Sequence, residues 1–261
     1  MSRVAIHPTA VVSPKAHLAS DVKIGPYAVI EGPCELGPGV EIGPHAVVHP
    51  FVRLAAGVKV GPHAVLGGEP QDLSYKGQET WLEVGAGTVL REGVVLHRST
   101  REEQPTRIGS DCYLMGYVHV GHDAQVGNGV ILTQNVAVAG HVEIGDYAVV
   151  GGLAGIHQFV RIGTRAMVGA LSKPTRDILP FSLAEGSPAL HYRLNTVGLR
   201  RAGVSKERYR ALEQAFRAVR EGRPLDDLPD TEEVRTLKAF LAAPSKRNLS
   251  GFVRGGSSFE D

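Results

Sequence analysis

The sequence predicts a mainly β protein: a parallel β-helix of six-residue repeats followed by a C-terminal α-helical cap. Aliphatic residues recur at every sixth position over most of residues 1–173, and a small or β-branched residue recurs four positions after each of them. The repeat stops where two amphipathic stretches begin. A short fixed period predicts a solenoid, because each repeat can bury its apolar side only against its neighbours.

The hexads form two runs in the same phase. The aliphatic positions are Ile6, Val12, Leu18, Ile24, Ile30, Leu36, Ile42, Val48, Leu54, Val60 and Leu66, then Ile108, Leu114, Val120, Val126, Leu132, Val138, Ile144, Val150, Ile156, Ile162 and Val168. Three hexads make one triangular coil of eighteen residues. Successive coils stack at the strand-pairing distance of about 4.8 Å. Cys34 and Cys112 fall on the small inward positions, which predicts buried packing residues rather than a disulfide framework.

Two polar segments interrupt the hexads. Residues 67–83 and 98–107 lie outside the pattern, which predicts loops that leave the β-helix. Long loops on a regular scaffold often carry function. The β-helix is therefore assigned to residues 1–173, and residues 174–190, which contain prolines and show no period, are predicted to be an irregular connector.

The C-terminal segment, residues 191–261, is predicted to form a helical domain. Residues 205–221 have an amphipathic pattern, with Ser205 as N-cap and Gly222 just past the end. A second helix is predicted over 231–242. These helices would cover the unpaired strand edges at the open end of the β-helix.

Charge and hydropathy exclude several classes of partner. The net charge is +1 and no long charge run occurs, which argues against nucleic acid or an anionic membrane as the partner. The first residues, MSRVAIHPTA, contain no apolar run long enough for a signal peptide, and no later segment is apolar enough to span a bilayer. We therefore expect a soluble, cytoplasmic protein that binds no nucleic acid and does not insert stably into a membrane.

The eighteen-residue coil places several polar residues together in space. His122, Gly140 and Gln158 differ by eighteen and share one column, with Asp123 and His141 in the next column. The predicted patch consists of His119, His122, Asp123, Gly140, His141, His157 and Gln158. Because these residues follow inward positions, we expect them on an outer face or corner.

This patch favours general-base catalysis. An imidazole can take a proton from a hydroxyl near neutral pH, and an adjacent carboxylate can fix its tautomer. Gly140, stacked on His122, offers a backbone N–H for a developing oxyanion. The sequence contains no nucleophile-elbow motif and no cysteine at the patch, so acyl transfer by direct attack is predicted.

A zinc site is the alternative for a histidine cluster. Carbonic anhydrases of this β-helix class would use two histidines five positions apart on one chain, and no two histidines here have that spacing. We therefore expect neither a metal nor another cofactor.

Five stretches resemble bacterial UDP-N-acetylglucosamine acyltransferases, the first enzymes of lipid A synthesis. They are QDLSYKG (71–77), VHVGHDAQVGN (118–128), AGHVEIGDYAVVGG (139–152), GIHQFVRIG (155–163) and NTVGLRRAG (195–203). The resemblance implies a left-handed β-helix and a homotrimer with active sites between neighbouring subunits. It implies transfer of an R-3-hydroxyacyl chain from acyl carrier protein to the glucosamine 3-position of UDP-N-acetylglucosamine.

The resemblance also implies residue roles. His122 would be the general base, Asp123 its partner and the Gly140 N–H the oxyanion donor. The implied substrate-binding residues are Gln71, Asp72, His119, His141, His157, Gln158, Asn195 and Arg201. Ala170 would limit the length of the acyl chain, about 10 to 15 Å along the coils from His122. Ser74, Val197 and the segment 186–190 (GSPAL) depart from the family pattern, at positions implied to affect nucleotide and acyl-chain contacts.

Three alternatives remain open at this point. An acetyl-CoA-dependent hexapeptide acetyltransferase would use a different donor. The natural acceptor could carry a 3-amino group in place of the 3-hydroxyl. A structural β-helix with a vestigial cluster would turn over neither donor.

Overall fold

The computed structural model describes residues 4–253 and contains three β-sheets wound as one β-helix, parallel throughout except for the last strand of the first sheet. The first sheet contains Ala5–Ile6, Lys23–Ile24, Glu41–Ile42, Lys59–Val60, Val89–Leu90, Tyr113–Leu114, Ile131–Leu132, Val149–Val150, Met167–Val168, Ser182–Glu185 and Leu190–Leu194. The second contains Val11–Val12, Val29–Ile30, Val47–Val48, Val65–Gly68, Val95–His97, His119–Val120, Ala137–Val138 and Gly155–Ile156. The third contains Ala16–Leu18, Cys34–Leu36, Val52–Leu54, Leu82–Val84, Thr106–Ile108, Gln125–Val126, Glu143–Ile144 and Arg161–Ile162.

The strand register confirms the predicted coil. Lys23 pairs with Glu41, and His119 pairs with Ala137, so successive coils align at eighteen residues. Aliphatic and small residues of the hexads fill one continuous core along the axis. Cys34 and Cys112 are buried and unpaired, as predicted from their positions. The mainly β solenoid is therefore the architecture that the period predicted.

Each coil turns at three corners, where one residue takes a left-handed backbone conformation. Asp123, His141 and Phe159 occupy one corner on successive coils, which we call the histidine corner. Gly129, Tyr147 and Arg165 occupy the second, the arginine corner, and Asn135, Leu153 and Leu171 the third, the leucine corner. The second sheet runs from the leucine corner to the histidine corner, and we call its outer surface the histidine face.

Both interruptions rejoin the coil earlier than the sequence predicted, and the first also leaves it later. Strands Val65–Gly68 and Leu82–Val84 shorten the first excursion to residues 69–81. Strand Thr106–Ile108 shortens the second to residues 98–105. These ends form strands because their backbones pair with strands of adjacent coils.

The prediction of an irregular connector over 174–190 is wrong in its second half. Strand Ser182–Glu185 pairs in parallel with Met167–Val168 of the last coil. Strand Leu190–Leu194 then pairs antiparallel with Ser182–Glu185. The segment lacks a six-residue period because it forms a hairpin rather than another coil. This hairpin covers the open edge of the first sheet, which the sequence had assigned to the helices alone.

Three helices follow the hairpin: α1 (Thr196–Arg201), α2 (Lys206–Arg220) and α3 (Glu232–Ala242). Helix α2 begins at its Ser205 N-cap, as predicted, and α3 corresponds to the second predicted helix. Helix α1 was not predicted. The apolar sides of α2 and α3 pack with hairpin residues into a second core. In residues 4–253, no helix combines the length and apolar character needed to cross a membrane.

Candidate active site

His122 and Asp123 form a buried pair at the histidine corner. His122 Nδ1 lies 2.6 Å from Asp123 Oδ2, and each side chain is only 5% exposed. The Asp123 backbone N–H donates to Thr106 Oγ1 at 2.8 Å, which fixes the turn. The predicted base and its carboxylate partner are therefore in direct contact and shielded from water.

The second excursion supplies the groups that hold Asp123. Ser99 Oγ donates to Oδ1 at 2.6 Å, and Thr100 donates from its backbone N–H to Oδ1 and from its hydroxyl to Oδ2. Burial favours the neutral carboxyl, but the hydrogen bonds from His122, Ser99 and Thr100 outweigh it and hold the pKa of Asp123 well below its ordinary value. An ionised Asp123 can only accept, so Nδ1 of His122 carries the proton and Nε2 is free to take one.

Gly140 lies against the edge of the His122 ring. A Cβ atom on Gly140 would stand 2.6 Å from both Cε1 and Nε2 of His122, so any larger residue would displace the base. The Gly140 N–H donates no intramolecular hydrogen bond within residues 4–253. Glycine is needed here for close approach, and the approach leaves an N–H donor beside the reactive nitrogen.

His141 completes this corner on the next coil. Its Nε2 lies 3.6 Å from Asp123 Oδ2, its ring meets that of His122 edge-on at 5.1 Å, and it stacks on Phe159 at 4.5 Å. Burial lowers the pKa of His141, and the attraction of Asp123 opposes this effect only in part. His141 is thus held as a neutral imidazole next to the pair.

The first excursion carries Asp72 to the other side of the base. Asp72 Oδ2 lies 3.9 Å from His122 Nε2, and the Ser74 backbone N–H donates to Asp72 Oδ1 at 2.8 Å. Hydrogen bonds from Ser74 lower the pKa of Asp72. The orienting donor is the backbone N–H of residue 74, so this contact does not depend on the serine side chain. Gln71 is exposed on the same excursion.

Arg98 anchors the first excursion to the coil. Its guanidinium is 7% exposed and donates to Glu69 Oε1 at 3.3 Å, Tyr75 Oη at 3.0 Å and the carbonyl of Pro50 at 3.4 Å. The adjacent His97 Nδ1 lies 2.7 Å from the carbonyl oxygen of Glu69. Both contacts fix the start of the segment that carries Asp72.

Sequence reasoning missed these supporting residues. They are His97, Arg98, Ser99, Thr100 and Thr106. The available signal was a polar run that breaks the hexads directly after a strand, but the run does not show which of its side chains turn inward. The eighteen-residue arithmetic applies only where the coil is uninterrupted.

The other predicted residues, His119, His157 and Gln158, lie near the His122–Asp123 pair. His119 lies on the histidine face, its ring 5.2 Å from that of His97, and burial together with nearby His97 and His122 lowers its pKa. Gln158 lies one coil beyond Gly140, as predicted, and His157 precedes it; both side chains are exposed. No direct contact between His157 or Gln158 and His122 is found in the described part of the chain.

Asn195 and Arg201 do not join the cluster within one chain. Asn195 caps α1 by accepting from the Gly198 N–H, and its Nδ2 donates to the carbonyl of Arg165 at the arginine corner. Arg201, the last residue of α1, is exposed. Asn195 therefore lies at a different corner of the β-helix from His122.

Ala170 also lies at another corner. It precedes Leu171 at the leucine corner, across the histidine face from His122. The distance estimated from the sequence counted only the axial part of this path, about 13 Å for the coils between them. The path between the two residues also crosses the width of the histidine face. Ala137 and Gly155 leave that face smooth between the two corners.

A cavity of about 350 Å³ opens beside the histidine corner. Its charged lining comprises Arg101, Asp123, Glu143, Arg161 and Lys246. Lys246 Nζ lies 4.2 Å from the centre of the Phe159 ring. Arg161 is already paired with the buried Asp177 at 2.7 Å, so Arg101 and Lys246 are the cations left for an anionic ligand.

Family models match both parts of the chain. A model described as "Udp N-acetylglucosamine O-acyltransferase; Domain 2" matches residues 177–255, and a model of bacterial transferase hexapeptide repeats matches 15–50, 33–68 and 105–140. The acyl-[acyl-carrier-protein]–UDP-N-acetylglucosamine O-acyltransferase of Paraburkholderia xenovorans is 45% identical over 260 residues, 94% of this chain and 98% of the relative.

Solved structures agree with the sequence relatives. The UDP-N-acetylglucosamine acyltransferase of Campylobacter jejuni superposes with a TM-score of 0.85 at 33% identity, over 95% of this chain and 100% of that one. The UDP-N-acetylglucosamine O-acyltransferase of Moraxella catarrhalis gives a TM-score of 0.83 at 32% identity, over 94% and 98% of the two chains. The chain therefore belongs to the UDP-N-acetylglucosamine O-acyltransferase family.

Proposed function

We propose that this protein transfers an R-3-hydroxyacyl chain from acyl carrier protein to the 3-hydroxyl of the glucosamine ring of UDP-N-acetylglucosamine, the first step of lipid A synthesis. One observation carries the proposal. Nε2 of His122 stands beside the Gly140 N–H, which donates no hydrogen bond within residues 4–253, and a buried Asp123 carboxylate holds the opposite ring nitrogen. Nε2 can thus take the proton of the attacking hydroxyl while the Gly140 N–H binds the oxyanion of the attacked carbonyl group.

The reaction is a direct acyl transfer. Nε2 of His122 accepts the proton of the acceptor hydroxyl while that oxygen attacks the thioester carbonyl carbon. The carbonyl electron pair moves to oxygen, and the Gly140 N–H donates to the resulting oxyanion. When the intermediate collapses, the C–S bond breaks and the imidazolium returns its proton to the departing thiolate.

Asp123 and His141 support the charge that develops on the base. The ionised Asp123 stabilises the imidazolium of His122 through Nδ1. A cationic His141 would oppose that charge, and burial keeps His141 neutral. Because both groups are fixed before substrate binds, little reorganisation is needed during the reaction.

The substrates would approach from two sides of the base. Asp72, near Nε2, is placed to bind a sugar hydroxyl, and the cavity lined by Arg101 and Lys246 suits a diphosphate or another anionic group. Acetyl-CoA in place of acyl carrier protein is the alternative donor, and a 3-amino sugar the alternative acceptor.

The proposed assembly is a homotrimer with sites shared between subunits. The histidine face of one chain is open, while Asn195 lies at another corner and Arg201 ends the helix that Asn195 caps. Tyr117, Leu153 and Leu171 expose large apolar side chains near the edge of that face. Packing against a second copy would cover them and bring a different corner to His122.

The activity is tested with UDP-N-acetylglucosamine, its 3-amino analogue, 3-hydroxyacyl carrier protein and acetyl-CoA, with products followed by mass. We expect product only with the acyl carrier protein donor and the 3-hydroxyl acceptor. His122→Ala should lower kcat by at least about a hundredfold. His45→Ala, an exposed turn histidine at a different corner, is the matched control and should keep wild-type kcat. Turnover by the His122 variant near the wild-type rate would refute the assignment.

The assembly is tested by sedimentation and by mixing inactive subunits. A His122→Ala chain and an Arg201→Ala chain should each be inactive alone. After refolding together, some mixed trimers should regain activity if the two residues come from different chains. A fully active monomer would exclude the shared site.

A further inference from the structure

We propose that Asp72, His122 and His141 together form a zinc-binding site and that zinc bound there blocks the reaction. One ligand atom from each of the three residues lies within 4.8 Å of the other two. The residues come from the first excursion and from two successive coils, so no sequence spacing shows the cluster.

The spacing between His122 and Asp72 is close to that of two ligands of one ion. Tetrahedral zinc with bonds of about 2.0 to 2.2 Å needs ligand atoms about 3.3 Å apart. His122 Nε2 and Asp72 Oδ2 are 3.9 Å apart, so a shift of well under 1 Å would suffice for this pair. The Asp72 side chain is 31% exposed on an excursion, whereas His122 is fixed by its neighbours. Asp72 can therefore supply most of the movement.

The surroundings match those of a bound zinc ion. Metal-ligating histidines usually donate their second ring N–H to a carboxylate, which orients the ring and fixes the lone pair on the metal side. Asp123 is that carboxylate for His122: its Oδ2 lies 2.6 Å from Nδ1. Asp123 is itself held by hydrogen bonds from Ser99 and Thr100. Two imidazoles and one carboxylate would leave a fourth position for water or a substrate oxygen.

Zinc at this position would inhibit rather than activate. A ligand bond from Nε2 of His122 uses the same lone pair that accepts the proton from the acceptor hydroxyl. The metal would also draw Asp72 away from the sugar. This consequence for catalysis depends on the proposed function, whereas zinc binding itself does not.

The described residues offer few competing ligands. Cys34 and Cys112 are buried, and burial raises the pKa of Cys34 to about 11, which disfavours the thiolate. The rings of His45 and His63 stack at 5.0 Å on an exposed corner. This pair could bind zinc in place of the cluster, so the experiment needs a control for it. His63→Gln removes that pair without touching the cluster.

The test is calorimetric titration of tag-free, metal-stripped protein with Zn²⁺ in a non-chelating buffer. We expect one site per chain in wild type and in His63→Gln. Asp72→Asn and His141→Gln should each weaken binding at least about tenfold, the smallest loss usually seen even for an outer partner of a metal ligand. X-ray absorption at the zinc edge should show two imidazoles among light ligands.

Activity gives the second readout. Zinc should inhibit acyl transfer in wild type, a chelator should restore the rate, and Asp72→Asn should raise the inhibition constant by the factor seen in calorimetry. Binding that is lost in His63→Gln but kept in Asp72→Asn and His141→Gln would overturn the site. Activation by zinc would overturn the inhibitory role. A protein that binds zinc as expected but transfers no acyl group would refute only the proposed function.

Discussion

Replacing Asp123 by asparagine tests how the corner sets the protonation of His122. The carboxylate accepts four hydrogen bonds, two at each oxygen, from His122, Ser99 and Thr100. An asparagine has nearly the same shape but only one acceptor oxygen. If its NH₂ group faces His122, Nδ1 must accept, and the ring proton moves to Nε2. The base then holds a proton where it should take one.

The expected loss of kcat follows from this tautomer change. The same exchange in the triad of a serine protease costs about 10⁴ in kcat, and general-base catalysis contributes about 10² to 10⁴. We therefore expect a fall of about 10² to 10⁴, equivalent to about 2.7 to 5.4 kcal/mol of transition-state stabilisation. KM for the acceptor should change little, because Asp123 lies behind His122 rather than against the substrate.

Steady-state acyl transfer at several pH values measures the effect, with Ser99→Ala as the control. Ser99→Ala removes one of the four hydrogen bonds but leaves a carboxylate that accepts from Nδ1. Its kcat should fall by less than about tenfold, since the tautomer of His122 is kept. An asparagine variant that retains more than about a tenth of wild-type kcat would refute the reasoning.

Three further predictions concern the anchor, the cap and the chain-length position. Arg98→Met should raise KM for the acceptor several-fold and expose residues 69–81 to protease, since the start of that excursion loses its anchor; Arg98→Lys, which lacks the planar fork, should restore little. Burial lowers the pKa of His191 to about 4, and its Nε2 accepts from the Leu179 N–H. The unfolded chain, with a pKa near 6.5, binds a proton that the folded chain excludes, so stability should fall as pH drops from about 6.5 towards 4. His191→Gln should flatten this part of the Tm profile, and an unchanged slope would contradict it. Ala170→Gly should shift preference towards longer acyl chains by about 10- to 200-fold, measured by competition between carrier-protein donors, and identical preferences would exclude Ala170 as the limit.

The six-residue period predicted the positions of those residues that lie on uninterrupted coils. His122, Gly140 and His141 meet as expected, because an uninterrupted hexad fixes each corner position by counting. The same reasoning predicted that Cys34 and Cys112 are buried. Steric fit was not predicted: counting placed Gly140 beside His122, but only the structure shows that a Cβ would strike the ring.

Contacts made by the irregular segments could not be predicted from the sequence. Thr100 reaches Asp123 across 23 residues, and the path of the second excursion determines whether it does. The hairpin of Ser182–Glu185 and Leu190–Leu194 has no period to reveal it. Asn195 was assigned to substrate by resemblance, yet within the chain both ends of its amide are used to cap α1 and to bind Arg165.

The second excursion explains why one corner of a regular solenoid became reactive. The inward aliphatic residues on either side of it, Leu96 and Ile108, are twelve residues apart instead of the usual six. The insertion therefore has the length of one hexad. Corner side chains elsewhere, such as Leu153, are exposed, whereas Asp123 is buried under this insertion. A buried carboxylate needs donors, and the insertion supplies them.

Deleting residues 100–105 should therefore separate fold from function. The deletion joins Ser99 to Thr106, returns Thr106 to the small inward position and makes Ser99 the corner residue. Ser99→Asn is added because asparagine tolerates the left-handed conformation, as Asn135 does at φ 59°. We expect a folded β-helix with wild-type far-ultraviolet circular dichroism and a Tm within several degrees of wild type. Its Asp123 loses the donors from Ser99 and Thr100 and is open to water, so kcat should fall further than in Ser99→Ala. The fall should be smaller than in Asp123→Asn, because the carboxylate still accepts from Nδ1 of His122. A deletion variant that keeps wild-type kcat would show that the coil alone positions the base, and one that fails to fold would show that the insertion supports the solenoid itself.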